Sequence, residues 1–260
     1  MKRYLKHQAG SLIFASHFAE VLLRHAAVVV AFHRVHDAPD ATGLTIDTAS
    51  FEQYCRFFAA RFHVVSLREL VDRLDQQLPV GGYLAITFDD GYRDNYQYAA
   101  PVLRSLSLPA TFFVVSEWIG SDVVPAWDKA AGSVHAWMNW TEVGGLQGMG
   151  FTIGAHTRTH VDLGRIGSDE AEQEIRGVKA DLEDRLGTAV DLFAYPYGGR
   201  ANIAERNREL VRASGFRCCC SCHGGMTWPA TNPFYLPRVP ITPFHATPHQ
   251  FGFDLILGRT

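Results

Sequence analysis

The chain has 260 residues, of which 47% are hydrophobic and 20% charged, and its formal net charge is −3. This length and apolar content are sufficient for one large globular domain with its own core, and single α/β barrels commonly have this size. The small net charge does not favour a nucleic-acid binder or a polybasic membrane protein. No run of about 20 uncharged apolar residues occurs, so the sequence predicts no transmembrane helix.

The first 26 residues predict an amphipathic extension ahead of the main domain. The basic start Met1-Lys2-Arg3 and the apolar stretch 11–14 look like part of a secretory signal. Charged residues and histidines interrupt the apolar stretch, however, and no small-residue cleavage site follows it. We expect residues 1–26 to form a helix that lies on the domain, with contact to a membrane surface as the alternative. Localisation stays open, and the missing signal favours the cytoplasm over association with the cell envelope.

The remaining residues, 27–260, predict strands that alternate with helices. Short apolar, β-branched runs mark the strands, and apolar residues three or four apart mark the helices. Strands are predicted at 27–32, 62–65, 83–88, 110–115, 151–155, 192–195 and 216–222, with a last extended piece at 236–241. Helices are predicted at 51–60, 67–74, 93–106 with a kink or break at Pro101, 169–186 and 203–214, and a short one capped by Thr141. Such alternation indicates an α/β fold built from βαβ units.

Five cysteines, four of them between Cys218 and Cys222, predict reduced thiols rather than a disulfide framework. Adjacent residues of an extended segment point to opposite faces, so neighbouring cysteines are poorly placed to pair. We interpret them as small apolar core residues, with a soft-metal site in this run as the alternative.

Four predicted strands end in polar residues that would form one site. In chain order these residues are His33, Asp89 with Asp90, His156 with His160, and Tyr197. In parallel α/β folds and barrels the carboxyl ends of the strands meet at one end, and active sites lie there. The predicted topology therefore brings all four clusters to one end of one domain.

Two histidines and one carboxylate suit a divalent metal ion. His156 and His160 are four residues apart, which would place both imidazoles on one side of a helical turn. With one aspartate they form a set that binds zinc or another divalent ion and leaves positions for water and substrate. The other aspartate would then accept a proton from the activated water. Taken alone, Asp89-Asp90-Gly91 also fits a turn with a capping carboxylate.

With these motifs the chain resembles the polysaccharide deacetylases, carbohydrate esterase family four. The resemblance rests on Thr87–Gly91, His156–His160 and Phe193–Gly198 and covers residues 27–241. It implies a distorted, incomplete (β/α) barrel formed by residues 27–260, and hydrolysis that removes N-acetyl groups from a saccharide containing N-acetylglucosamine. It also implies one divalent metal ion, with zinc expected and cobalt, nickel, iron or manganese as alternatives.

The resemblance further implies roles for individual residues. Asp89 would be the general base, and the backbone N–H of Tyr197 would help to stabilise the oxyanion of the tetrahedral intermediate. The metal would be held by Asp90, His156 and His160. A protonated histidine would donate a proton to the leaving amine.

Two departures from the commonest family pattern concern the groups around the base. Ala194 stands where an arginine is usual, and the Leu-x-His motif near the C-terminus is missing. The chain instead resembles the branch acting on the exopolysaccharide poly-N-acetylglucosamine, in which a histidine after the first strand can be the acid. His33 takes that place, with a supporting or capping role as the alternative, and Arg238 is the candidate replacement for the arginine near Asp89.

A few further residues are expected near the saccharide. Tyr92 would help to build the groove wall, while Trp127 and Asp128, in the inserted segment 117–140, would line a sugar subsite or simply cover the barrel end. Two other functions stay open: hydrolysis of a small non-sugar amide or imide, and saccharide binding without catalysis. The expected partner is an N-acetylated saccharide and not a nucleic acid, and the sequence leaves the oligomeric state open.

Overall fold

The computed structural model describes residues 2–16, 18–38, 40–245 and 247–258. The strands are β1 Val28–Phe32, β2 Arg34–Val35, β3 Thr45–Ile46, β4 His63–Val64, β5 Tyr83–Phe88, β6 Ala110–Val114, β7 Thr152–Ala155, β8 Leu192–Ala194, β9 Cys218–Cys220 and β10 Val239–Pro240. The α-helices are α1 Lys2–Ala15, α2 Phe18–Leu23, α3 Thr48–Arg61, α4 Leu67–Asp75, α5 Ala100–Ser105, α6 Ala126–Ala131, α7 Trp140–Gly148, α8 Ser168–Leu186, α9 Glu205–Ala213 and α10 Pro248–Ile256. A π-helical turn, Asn95–Ala99, precedes α5, and short 3₁₀ turns occupy Arg200–Asn202 and Pro233–Tyr235.

Eight of the described strands form one parallel sheet that curls around a common core. Its order is β10-β1-β5-β6-β7-β8-β9, and β4 pairs with the start of β5. Every residue of β1 is buried, because the interior covers one face of this sheet and helices cover the other. The sheet forms a 245° half-barrel, which confirms the predicted distorted, incomplete (β/α) barrel.

A C-terminal segment, residues 236–240, brings the two edges of the sheet together. Leu236 forms a parallel bridge with Cys220 at one edge, and β10 pairs with β1 at the other. The Ser221 N–H donates to the Leu236 carbonyl at 2.8 Å. Arg238 lies between these contacts and is fully buried, so the last part of the barrel carries a cation into the interior.

Two helices have other N-terminal caps or starts than predicted. Asp47 caps α3, which begins at Thr48 and not at the predicted residue 51, and the Asp47 carboxylate accepts the Ser50 N–H at 2.8 Å. Asn139 rather than Thr141 caps α7, where it forms a capping box with Glu142. Both corrected caps are Asx residues, whose short side chains reach the first free N–H groups of a helix.

The segment after β5 is not the continuous helix predicted for residues 93–106. The π-helical turn comes first, and Pro101 lies in the first turn of α5. Proline lacks a backbone N–H and fits a first helical turn, so Pro101 marks the start of α5, which agrees with the predicted break rather than with a kink. The wider turn places Asn95 inside the protein, where its side chain is fully buried.

The N-terminal helix packs against the C-terminal one. Lys6 of α1 forms an ion pair with Asp254 of α10 at 2.8 Å, and the side chain of Phe14 is buried. The division of the chain at residue 26 stays a prediction. Within the described ranges, no helix combines the length and the apolar character needed to cross a bilayer. All five cysteines are free thiols, and four of them are buried in the core.

Candidate functional site

The carboxyl ends of the strands surround a cavity of about 400 Å³. Its lining residues are His33, Thr42, Leu44, Asp89, Asp90, Trp127, His156, His160, Tyr195, Tyr197 and Cys222. The fold therefore brings together the residues that the sequence suggests as base, acid, oxyanion donor and metal ligands, because the ends of parallel strands converge.

Asp90, His156 and His160 form a buried group whose ligand atoms converge. These atoms all lie within 4.8 Å of one another. Asp90 Oδ1 is 3.4 Å from His156 Nε2 and 3.2 Å from His160 Nε2. Asp90 Oδ1 is buried and has no hydrogen-bond partner among the described residues. Burying a polar atom without a partner is costly, so this convergence fits a bound cation.

A hydrogen bond fixes which nitrogen of His156 faces this group. His156 Nδ1 lies 2.8 Å from the carbonyl oxygen of Ala194. A carbonyl only accepts hydrogen bonds, so Nδ1 carries the proton and Nε2 presents a lone pair towards Asp90. Histidines that bind metals usually have such a bond on the other nitrogen, so the donor set fits a divalent metal ion.

The two histidines converge through a tight turn and not through the predicted helical turn. Thr157 and His160 have φ angles of 62° and 61°. Thr157 Oγ1 accepts the His160 N–H at 3.0 Å, and Glu174 of α8 accepts the Thr159 N–H at 3.0 Å. These hydrogen bonds hold the backbone in the left-handed region, which non-glycine residues rarely occupy.

The turn after β5 directs the two adjacent aspartates to different partners. Asp90 and Gly91 have φ angles of 73° and 92°. The backbone angle favours glycine at position 91, where a Cβ would also make a tight contact of 3.1 Å with Ile119 Cδ1. Asp90 consequently faces the histidines, whereas Asp89 faces Arg238.

Asp89 is held by a bidentate ion pair with Arg238. Arg238 Nη1 and Nη2 each donate to one Asp89 oxygen at 2.7 Å. Arg238 is itself anchored, since its Nη1 donates to Thr87 Oγ1 at 3.0 Å and its Nε to the Ser221 carbonyl at 2.7 Å. Burial would raise the pKa of the Asp89 carboxyl, but Arg238 and then His156 outweigh burial and lower this pKa. Asp89 is therefore an ionised carboxylate at neutral pH.

His33 lies directly after β1, half-buried in the cavity wall. Its carbonyl accepts a hydrogen bond from Asn95 Nδ2 at 2.8 Å, and the nearby Val35 N–H donates to Asp94 at 3.1 Å. Withdrawal from solvent lowers the pKa of the His33 imidazole, although the cavity carboxylates oppose this shift. The residues at the start of the π-helical turn thus fix the backbone that directly follows the His33 side chain.

The backbone around Tyr197 is fixed against the end of β9. Tyr197 has a φ angle of 61°, and its half-exposed ring lies 4.9 Å from the ring of His160. The Cys222 N–H donates to the Gly198 carbonyl at 2.7 Å. A Cβ on Gly198 would come within 2.5 Å of Cys222 N, so only glycine allows this close approach.

Trp127 is part of the cavity wall, whereas Tyr92 and Asp128 lie behind it. Both Tyr92 and Asp128 are fully buried. Trp127 Nε1 donates to Tyr92 Oη at 3.1 Å, and Tyr92 Oη donates to Asp128 Oδ2 at 3.4 Å. These two residues therefore support Trp127 from the interior and do not face the cavity.

Sequence reasoning missed several residues at and behind this cavity. Thr42 and Leu44 come from the loop 40–44, which has no periodicity that would mark it as a cavity wall. Arg34 is fully buried behind the same wall. The only signal for Arg34 was a charged residue two positions after the end of an apolar strand.

Asp94, which holds the Val35 N–H, also makes stability depend on pH. Burial raises the pKa of its carboxyl to about 7, against the opposing hydrogen bonds from Val35 and Asn95. An unfolded aspartate has a pKa of about 3.9, so between about pH 4 and pH 7 the folded chain binds the extra proton. The contribution of Asp94 to stability is therefore greatest at low pH and falls as the pH rises through this range.

We expect the Asp94→Asn variant to lose this pH dependence, because an amide keeps the acceptor for Val35 but does not ionise. The free energy of unfolding of the variant, relative to wild type, should rise by about 2 to 3 kcal/mol from pH 5 to pH 8. Urea unfolding at both pH values measures this change. Asp72→Asn, at an exposed carboxylate paired with Arg217, is the control. Parallel pH profiles for wild type and Asp94→Asn would contradict the assignment.

Comparison with known proteins agrees with this architecture. A family model described as "Polysaccharide deacetylase" matches residues 79–219. YxkH of Bacillus subtilis, whose name places it among the polysaccharide deacetylases, is 23% identical over 210 residues, which are 80% of this chain and 70% of YxkH.

Two solved structures have the same fold as this chain. The deacetylase PplD of Streptococcus pyogenes, solved in complex with acetate, has a TM-score of 0.73 at 19% identity and covers 87% of this chain and 96% of its own. IcaB of Ammonifex degensii has a TM-score of 0.72 at 24% identity and covers 88% of this chain and 96% of its own. At these identities the two structures support the fold.

Proposed function

Since the chain belongs to the polysaccharide deacetylase family, we propose that it is a metal-dependent hydrolase that removes N-acetyl groups from a saccharide containing N-acetylglucosamine. The proposal rests on the different partners of two adjacent aspartates. Asp90 belongs to the group of candidate metal ligands, whereas Asp89 binds the guanidinium of Arg238. The choice of an N-acetylglucosamine polymer is supported by His33 after the first strand, a feature that resembles the branch that acts on poly-N-acetylglucosamine. Arg238 beside Asp89 supports the assignment of Asp89 as the base.

Asp90, His156 and His160 would hold one divalent ion. Two imidazoles and one carboxylate suit zinc, and cobalt, nickel, iron and manganese are the alternatives. When bound, such an ion polarises the acetyl carbonyl and lowers the pKa of a water molecule.

The protein side chains supply the proton transfers. Asp89 accepts the proton of the attacking water, since its carboxylate is ionised and lines the cavity. The backbone N–H of Tyr197 donates a hydrogen bond to the oxyanion that forms on the acetyl group. His33, in its protonated form, then donates a proton to the amide nitrogen as its bond to the acetyl carbon breaks, and the proton that Asp89 accepted balances this donation over the cycle. The products are acetate and the free amine of the saccharide.

Acetate release from a panel of compounds tests this function. We expect the zinc-loaded protein to release acetate from oligomers of N-acetylglucosamine faster than it hydrolyses small amides or cyclic imides. Hydrolysis of the small amides or imides alone would favour a non-sugar amidohydrolase. A protein that binds no zinc or cobalt and releases no acetate would favour a saccharide-binding domain without catalysis.

The same assay isolates the role of His33. In the His33→Ala variant, deacetylation of the oligomers should fall by about 10² to 10³-fold, because an amine leaves poorly without a proton. Hydrolysis of an aryl acetate should stay within about threefold of wild type, because an aryl oxide leaves without being protonated. His63→Ala, at the exposed histidine of β4, is the matched control. Equal losses on the amide and the ester would remove His33 as the acid.

A further inference from the structure

Arg34 and Asp128 form a fully buried ion pair behind the cavity. Neither side chain is exposed to solvent, and Arg34 Nη1 donates to Asp128 Oδ1 at 2.7 Å. Arg34 begins β2 at the carboxyl end of the barrel, whereas Asp128 belongs to α6. The cost of desolvating two charges roughly cancels their attraction, so a buried ion pair is weak evidence for stability. Its position between two walls of the cavity suggests a different role.

One side of the Arg34 guanidinium binds the loop 40–44. Nη2 lies 3.2 Å from Asp40 Oδ2 and also donates to Thr42 Oγ1. Asp40 in turn accepts the Thr42 N–H at 2.9 Å. Thr42 and Leu44 line the cavity, so this cation orders the loop that forms one wall.

The other side of the guanidinium supports the opposite wall. The Arg34 Cζ lies 5.0 Å from the centre of the Tyr92 ring. Tyr92 Oη accepts from Trp127 Nε1 and donates to Asp128, the partner of Arg34. Trp127 lines the cavity, with its ring 5.1 Å from that of His160. The indole is therefore oriented by an acceptor that the ion pair holds in place.

We propose that Arg34 is a positioning residue that fixes both walls of the cavity, the loop 40–44 and Trp127, and thereby determines how tightly the saccharide is bound. The inference rests on the proposed function, because it concerns the substrate of that site. The reacting groups have other supports: Arg238 holds Asp89, and the Ala194 carbonyl holds His156. Loss of Arg34 should therefore weaken saccharide binding and leave the chemistry at the acetyl group intact.

The fork of the guanidinium is essential to this role. Arg34 uses Nη1 for Asp128 and Nη2 for the loop, so two nitrogens of one planar group face two different segments. A lysine ammonium has one nitrogen on a flexible stem and cannot hold both segments in the same geometry. Arg34→Lys should therefore keep the charge but lose the function.

The test compares a saccharide with a small ester in the zinc-loaded protein. Arg34→Met alone leaves Asp128 buried without a counter-charge, so the double variant Arg34→Met/Asp128→Asn is measured as well. We expect both variants to lose about 10 to 100-fold in kcat/KM for N-acetylglucosamine oligomers, mainly through KM. Their kcat/KM for an aryl acetate and their zinc content should stay within about twofold of wild type. Arg217→Met, which removes an ion pair with Asp72, is the control.

The outcomes separate a positioning role from a structural one. Equal losses on the oligomer and the ester would mean that Arg34 supports the whole domain, and unchanged KM values would mean that it does not shape the cavity. Either result overturns the proposal. Arg34→Lys should resemble Arg34→Met, and full rescue by lysine would contradict the need for the fork.

A spectroscopic measurement tests the positioning independently of activity. The protein has five tryptophans, which can be labelled with 5-fluorotryptophan, and Trp127→Phe assigns the resonance of Trp127. We expect that ¹⁹F resonance to shift in the Arg34→Met/Asp128→Asn variant, while that of the half-exposed Trp228 stays in place. An unchanged Trp127 resonance would overturn the proposal. Failure of the wild type to release acetate from any oligomer would instead count against the proposed function. In that case the ¹⁹F resonance of Trp127 would still decide whether Arg34 positions the Trp127 side chain.

Discussion

Replacing Asp89 with asparagine should reduce deacetylation by about three orders of magnitude while the metal stays bound. An amide cannot accept the proton of the attacking water, so the variant loses the base. One oxygen remains to accept from Arg238, which keeps the side chain in the position that the 2.7 Å hydrogen bond now fixes. The metal ligands are supported separately, by Ala194 and by the turn 156–160, and should retain their affinity.

Two measurements on the same preparation check this result. Acetate release gives the loss of turnover, and the content of zinc per chain shows whether the metal site survives. Asp72→Asn, a carboxylate-to-amide change far from the cavity, controls for effects of the preparation. Turnover within tenfold of wild type would show that another group takes the proton from water.

The His156→Ala variant should lose both the metal and the activity. His156 supplies one of three converging ligand atoms. Loss of a residue that only hydrogen-bonds to a metal ligand typically weakens metal affinity by about 10 to 100-fold. Loss of a ligand itself should weaken the affinity by more than that. Titration with cobalt and its visible absorption measures the affinity directly. Because the defect lies in binding, excess metal should restore part of the activity of this variant but none of the activity of Asp89→Asn.

A non-ligand histidine provides the comparison for this change. His249→Ala removes an imidazole from α10, which packs on the N-terminal helix, and should leave both the metal content and the turnover unchanged. A His156→Ala protein that binds zinc as tightly as wild type would mean that the histidine is not a ligand.

The fold could be predicted because its signals are local in the sequence. All five residues of β1 are apolar or small and buried, and α8 repeats apolar residues at helical spacing over 19 residues. Parallel topology then placed the strand ends at one end of the barrel without any knowledge of side-chain contacts. The gathering of His33, Asp89 and Tyr197 around one cavity followed from this rule.

The parts that could not be predicted depend on contacts between distant segments. The turn that holds His160 relies on hydrogen bonds that its backbone donates to Glu174 in the following helix, so spacing alone wrongly favoured a helical turn. The position of Asp128 behind the wall depends on Arg34, a residue 94 positions earlier. Neither interaction leaves a periodic pattern in the sequence, because each pair is formed by single residues from separate elements.

The segment 236–240 makes the order of synthesis matter for this enzyme. A ribosome produces the chain from its N-terminus, so Asp90, His156 and His160 emerge well before Arg238. A nascent chain that has not reached residue 236 contains every proposed metal ligand but lacks the guanidinium that pairs with Asp89 in its buried position. On the proposed function, the residues that would bind the metal are therefore synthesised early, and the partner of the proposed base is added only with the last strand of the sheet.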